Sequence, residues 1–391
     1  MKKPFKILIL LLITSVLSHA QSHRILKESI AVDKNTSIVL NFENIYVALE
    51  ESTDGKIHFD YVMEFEGHSK KDIQERLKDV TAEVSNFENH ITLTAKSKSQ
   101  MSFESYEFKK EYGITYNDDF LSEKKDSIIR KSKDSLLKII RYNNRVARTN
   151  NGLKYINERF KKIDKDGGLT NFRKGTMDVM RSVFVIKIPP YVKLNINGKN
   201  SGIHFRNNTQ NEISLKLKSG TLKTKVLINT FNNIRIDDAN FEADAISGGE
   251  YKFKNVKDGK IGSVQNTKIT SEFSKLEIGE IQKHVTITDF NSEYYFYNWA
   301  KDFKRFNLYS EYSKIHFFYP KLDYSFKVIG NNTKNFIDKY TIEMQPTKKG
   351  EKFNMMERKS QGNGEFSGEI FFDIIHGIIY SYDDSFKKTD N

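Results

Sequence analysis

Ile186-Lys187-Ile188-Pro189-Pro190-Tyr191-Val192-Lys193-Leu194-Asn195-Ile196, followed by Asn200-Ser201-Gly202-Ile203-His204-Phe205, carries the pattern on which the fold turns. Apolar and polar residues alternate on both sides of Pro189-Pro190 and again after the Asn-Ser-Gly corner. Period-two alternation sends one side chain inward and the next outward, so each short strand buries two or three apolar groups. The same unit returns at Ser219-Gly220-Thr221-Leu222. Forms with a leading aromatic occur at Phe231-Asn232-Asn233-Ile234-Arg235-Ile236, Phe273-Ser274-Lys275-Leu276-Glu277-Ile278 and Tyr312-Ser313-Lys314-Ile315-His316-Phe317. No such strand holds a fold alone. Piled in parallel, each covers its neighbour's apolar face, with Gly, Asn and Ser at the corners. An antiparallel β-sandwich also gives short strands at intervals of about 8–12 residues. Hairpin-type pairs in this half are limited to Asn197-Gly198, Asp258-Gly259 and Asn363-Gly364. The expected class is therefore mainly β: a parallel β-solenoid over 182–384, with the antiparallel sandwich as the alternative.

Upstream, residues 21–100 read as an α+β region. Ser37-Ile38-Val39-Leu40 and Asn44–Leu49 are strand-like, and Ser52-Thr53-Asp54-Gly55 turns the chain into Lys56–Val62 as a hairpin. Ser69 caps an expected helix with Ile73, Leu77 and Val80 on one face, and strand signal returns at His90–Thr94. From 101 to 181 polar residues dominate. Helical spacing is found at Leu121, Ile128, Ile129, Leu136, Ile139 and Ile140, then at Leu153, Ile156, Phe160 and Ile163. This stretch is expected to be a basic helical insertion.

The two ends and the charge bound the setting. Lys2, Lys3 and Lys6 precede the apolar run Ile7–Ile13, and Ser18-His19-Ala20 fits a signal-peptidase site before Gln21. The run is too short for a span, which needs about 20 apolar residues, so 1–20 is expected to be a signal peptide and the mature chain to have no transmembrane span. Residues 385–391 are left as a tail. The absence of cysteine excludes disulfides, a lipidated cysteine, thiolate metal sites and a Cys nucleophile. Net charge is +12; without the three signal lysines it is +9. Residues 121–165 hold 14 Lys and Arg against 5 Asp and Glu, so this segment accounts for all of the mature excess.

The strand Ile186–Ile196 and the corner Ser201-Gly202-Ile203-His204-Phe205 resemble the core of the bacterial "putative adhesin" domain family, relatives of autotransporter-adhesin heads in Bacteroidetes-type secreted proteins. Gly362-Asn363-Gly364 and Gly377-Ile378-Ile379 match its closing segment, and the N-terminal hairpin and the helix near Ile73–Val80 fit as well. The resemblance covers roughly 25–100 and 182–380, with the basic segment as a departure. It implies a β-solenoid in the cell envelope and supplies no catalytic residues.

The motifs of enzyme chemistry are fragmentary. There is no HxxH or HExxH spacing, no P-loop, no dinucleotide fingerprint and no Gly-x-Ser-x-Gly elbow, so no cofactor and no metal are expected. His58, His204 and His316 read as outward polar positions on strands. Asp164-Lys165-Asp166-Gly167 lacks the later ligands of a calcium loop. Asp237, Asp238, Glu242 and Asp244 are the one set from which a glycan-cleaving acid pair can be drawn, and nearby Arg235 and Lys252 offer them ion pairs instead.

Binding is the better-supported class. Lys124, Lys125, Arg130, Lys131, Lys133, Lys138, Arg141, Arg145 and Arg148 form a dense cationic array that is self-repelling without an anion. Trp299 lies in a stretch, Tyr294 to Phe326, where 14 of 33 residues are aromatic, either core or sugar-stacking. The reading is an exported, non-enzymatic envelope module in the periplasm or at the outer surface. Its expected partner is anionic lipid, lipopolysaccharide or acidic polysaccharide, or another envelope protein; nucleic acid is not expected. The alternative is a glycan-active enzyme on a β-helix. Mass spectrometry of the protein secreted by a bacterial host is expected to give Gln21 as its first residue; a retained Met1 contradicts the signal assignment.

Overall fold

The computed structural model describes residues 21–110, 113–116, 150–165, 167, 169–173, 176–337, 340–360, 366 and 368–382. The signal segment, the nine basic residues from Lys124 to Arg148, the first of the two expected helices, Gly362-Asn363-Gly364 and the tail fall outside them. The chain is mainly β and divides into two units: Met1–His23, Val62–Leu77 and Phe103–Ser182 form one, and Arg24–Tyr61, Lys78–Ser102 and Val183–Asn391 the other.

In the smaller unit the helix at 70–78 is capped as its sequence demands. Ser69 Oγ accepts from the Asp72 N–H at 3.2 Å, and Asp72 accepts from the Ser69 N–H at 3.2 Å. The helix stops at Lys78, and Val80 opens strand Val80–Phe87 instead of extending the helical face. Helix Asn150–Lys165 is the second of the expected pair, with Phe160 buried. The insertion is not purely helical. Strands Glu104–Lys110 and Thr176–Ile188 pair antiparallel between Lys110 and Arg181, and Gly113–Tyr116 pairs with Leu169–Arg173. Their short alternations, such as Tyr106-Glu107-Phe108, are easily lost among the surrounding charges.

The larger unit is built on two parallel ladders. One contains Ser37–Glu43, then 193–199, 213–218, 233–237 and 250–254. The other contains Tyr46–Glu51, then 202–205, 221–227 and 241–247. Leu194 lies beside Ile213, Leu215 beside Ile234 and Leu222 beside Phe241, a constant offset of 19 residues. Further on the offset varies between 17 and 21. Inward residues of both ladders are buried, including Ile38, Leu40 and Phe42 on the first and Val47 and Leu49 on the second. Phe241 meets Phe253 at 5.1 Å, and Phe296 meets Phe306 at 4.9 Å, so one core lies between the ladders.

What joins the ladders is a left-handed corner. Asn44, Asn200, Ser219, Asp238, Asn255, Phe273, Asn291, Tyr312, Asn332 and His376 all have φ between 49° and 62°. Small polar residues accept this conformation readily; Phe273 and Tyr312 take it at a steric cost. Gly220, just past one corner, has φ +106°, and a Cβ there would lie 2.1 Å from the Ser201 carbonyl oxygen. A buried serine follows several corners. Ser201, Ser274, Ser292 and Ser313 each accept an N–H from the neighbouring turn, of Ile45, Val256, Ser274 and Ser292 respectively, at 3.0–3.2 Å. Each also donates to the carbonyl two residues back. The buried Asp289 carboxylate ties its strand to both neighbours by accepting from Ser271 (2.5 Å) and Ser310 (3.1 Å), and it lies against the Ser313 hydroxyl.

Antiparallel strands flank the parallel ladders. Val80–Phe87 pairs with His90–Ser97, which lies beside Ser37–Glu43. Phe353–Lys359 and Tyr340–Met344 pair with Tyr324–Asn331 and Thr333–Ile337. The C-terminal strands Gly368–Ile375 and Ile378–Tyr382 sit between earlier ones, separating 305–318 from 324–337.

Ser292→Ala leaves the buried Ser274 N–H without its acceptor and is expected to destabilise the protein by about 1–3 kcal/mol. Urea denaturation measures this; an unchanged midpoint removes the hydroxyl ladder from the account of stability.

Candidate functional site: a basic groove on the first ladder

The 19-residue offset converts scattered charges into a cluster. A recess of about 430 Å³ is lined by Lys96, Lys199, Lys216, Lys218 and Arg235 against only Glu43 and Asp237, with Asn41 and Asn197 beside them. They stand at outward positions of five adjacent strands: Lys96 registers with Glu43, Glu43 with Lys199, Lys199 with Lys218 and Lys218 with Asp237. One position pair away, Asn41, Asn197, Lys216, Arg235 and Lys252 form a second column. Lys199 Nζ donates to Glu43 at 2.7 Å, and Arg235 Nε donates to Asp237 at 3.0 Å. The Lys199 hydrogen bond, helped by the charges of Lys199 and Lys96, holds the Glu43 carboxyl below its ordinary pKa. Among the described residues, Lys96, Lys216, Lys218 and Lys252 make no ion pair. The groove thus presents a net positive surface with amide donors, suited to an anion that also carries hydrogen-bonding groups.

The four carboxylates proposed for catalysis do not converge. Asp237 is held by Arg235, Glu242 by Lys223 at 2.8 Å and Asp244 by Lys225 at 2.8 Å; Asp238 is an exposed corner residue. Glu242 raises the Lys223 pKa through its hydrogen bond, as a settled ion pair does. The histidines are also dispersed. His58 contacts Asp54 at 3.0 Å and lowers that carboxyl to about 2. Burial, with Arg206 and Lys223 nearby, lowers the His204 pKa. Among the described residues no group of three His, Asp or Glu side chains is placed to hold a metal.

The aromatic stretch splits by alternation. Trp299 is 9% exposed, donates its indole N–H to the Phe318 carbonyl at 2.8 Å, and packs edge-on against Phe303, Phe306 and Phe317. Outward residues of the neighbouring strands form a stack instead: Tyr295 on His316 (4.1 Å, 0°), His316 on Tyr380 (5.0 Å, 15°) and Tyr380 on Phe336 (5.3 Å, 8°). Because the rings lie face to face, neighbouring side chains already cover the faces that a sugar would use. The stack reads as adhesion between turns.

The groove residues were missed by sequence reasoning because charge outside 121–165 sums to zero when averaged along the chain. Their signal is the period: Asn197, Lys216 and Arg235, and likewise Lys199, Lys218 and Asp237, recur at intervals of 19.

No family model and no curated protein matches the sequence. Among solved structures, a Clostridium sporogenes chain described as a "putative cell adhesion protein" aligns over 94% of this chain and 100% of its own, at 10% identity and a TM-score of 0.19. A Bacteroides fragilis "putative adhesin" aligns over 93% and 97%, at 8% identity and a TM-score of 0.26. Superposition this poor transfers nothing between the chains.

Trp299→Ala is expected to cost about 3–5 kcal/mol by emptying a packed core position, measured by thermal or urea unfolding. A loss below ~1 kcal/mol returns Trp299 to the surface.

Proposed function

We propose that the chain is an exported, non-enzymatic envelope module that holds an anionic envelope component against its basic groove. In this reading the two ladders are opposite sides of a β-solenoid, each turn supplying one strand to each side, in preference to a sandwich. The observation that carries the function is the set of unpaired lysines gathered in register along one ladder: Lys96, Lys216 and Lys218 in the recess, with Lys252 beside it. Such an array is poorly stabilised without an opposite charge to meet it. The dense basic segment around Lys124, Lys125, Arg130, Lys131, Lys133, Lys138, Arg141, Arg145 and Arg148 supports the same class of partner by its charge alone. The ion pairs made by Asp237, Glu242 and Asp244 favour this reading over a glycan-cleaving enzyme.

The test compares the mature chain with Lys216→Gln/Lys218→Gln/Arg235→Gln and, separately, with Lys124→Gln/Lys125→Gln/Arg130→Gln/Lys131→Gln. Retention on lipopolysaccharide, anionic vesicles and an acidic glycan is followed as salt rises. The groove variant is expected to bind on the order of tenfold more weakly to the relevant surface and to lose part of its salt dependence. Equal retention of all three proteins overturns the proposal.

A further inference from the structure

The cations of the groove continue beyond it in a line. In strand order the first ladder runs through His90–Ser97, Ser37–Glu43, 193–199, 213–218, 233–237 and 250–254. Five of these six strands place a cation on the outward face: Lys96, Lys199, Lys216 with Lys218, Arg235, and Lys252, whose neighbour Lys254 is already paired with Glu272. Neighbouring strands are about 4.8 Å apart, so the line is roughly 24 Å long. Resting on the reading of the groove as an anion site, we propose that its occupant is a linear acidic polysaccharide lying across the strands, with successive carboxylates meeting successive turns.

Three observations favour that occupant. First, the groove departs from the pattern of the second ladder, where a cation on one strand meets a carboxylate on the next, as in Lys223–Glu242, Lys225–Asp244 and Arg206–Glu50. Lys216, Arg235 and Lys252 instead stand directly in register, three like charges in a row. Like charges directly opposite are destabilising; a polymer with one negative group per turn neutralises the whole row, which a single headgroup cannot do. Second, the column also carries neutral hydrogen-bonding groups. Asn197 Nδ2 donates to Asn41 Oδ1 at 3.0 Å, leaving the Asn197 oxygen and the second Asn41 amide edge for sugar hydroxyls, and Thr94 registers with Asn41. Third, the groove offers no stacking platform. Its one aromatic lining residue, Phe42, is 2% exposed, whereas single-stranded nucleic acid is gripped by bases stacked on aromatic faces. The carboxylates of Glu43 and Asp237 occupy two of the cations in the free protein and are the groups a ligand displaces.

Calorimetry with the mature chain and α-1,4-linked oligogalacturonates from dimer to decamer tests this. Affinity is expected to climb by at least about tenfold between dimer and octamer, as added units find further turns, and then to level off. Lys252→Gln, at one end of the line, is expected to weaken the octamer several-fold and leave the dimer unchanged. Glu43→Gln, which frees Lys199, is expected to tighten the longer oligomers; circular dichroism verifies that both variants are folded. Affinity independent of length, or stronger binding of inorganic phosphate, phosphatidylglycerol vesicles or single-stranded DNA, overturns the linear-polysaccharide assignment while leaving an anion site. Failure of every anion to bind at low salt removes the site itself, and with it the function proposed above.

Discussion

The larger unit has to satisfy one awkward backbone position, the N–H that follows a left-handed corner. A chain that turns sharply between two ladders leaves amide groups in the interior, where an unpaired donor is costly. Four corners share one solution: a serine past the corner accepts the neighbouring turn's N–H and gives its own hydroxyl proton to the carbonyl two residues earlier. The hydroxyl is small enough to stay inside the corner, and the side chain before it is thrown outward. That hand-off holds neighbouring turns at a fixed height where it occurs. Register then sets the charge chemistry, because a fixed offset decides which outward residues become neighbours.

That dependence explains what was and was not legible in the residues themselves. Short alternating strands with Ser, Asn or Gly corners are local patterns, and Asn200-Ser201-Gly202 and Tyr312-Ser313 mark corners that form. Pairing is not local. Ser37–Glu43 and Tyr46–Glu51 belong beside 193–205, with Asn200 donating to Asn44 at 2.8 Å across 156 residues of intervening chain. Only after the turns are laid side by side does the 19-residue spacing of Asn197, Lys216 and Arg235 acquire meaning. The candidate site was illegible for the same reason. The nine basic residues noted from sequence lie in a dense run and attract notice, whereas the groove draws one or two cations from each of several strands that only pairing brings together. Aromatic richness had a mixed outcome, since alternation sent Trp299 into the core and Tyr295 into a stack.

The two aromatic and charged columns do different work on chemically similar strands. Where outward residues are Tyr, His and Phe, they cover one another and the surface closes on itself. Where they are Lys and Glu in alternation, they neutralise one another. On the first ladder Lys96, Lys216, Lys218 and Lys252 do neither, and these four mark the groove as the candidate site.

The placement of Gly368–Ile375 and Ile378–Tyr382 between the turns at 305–318 and 324–337 has a consequence for biogenesis. A polypeptide made amino end first produces 305–318 and 324–337 before the strands that must separate them. Those layers therefore wait for 368–382 to arrive. The later segment acts as a keystone, set between layers that precede it in the chain.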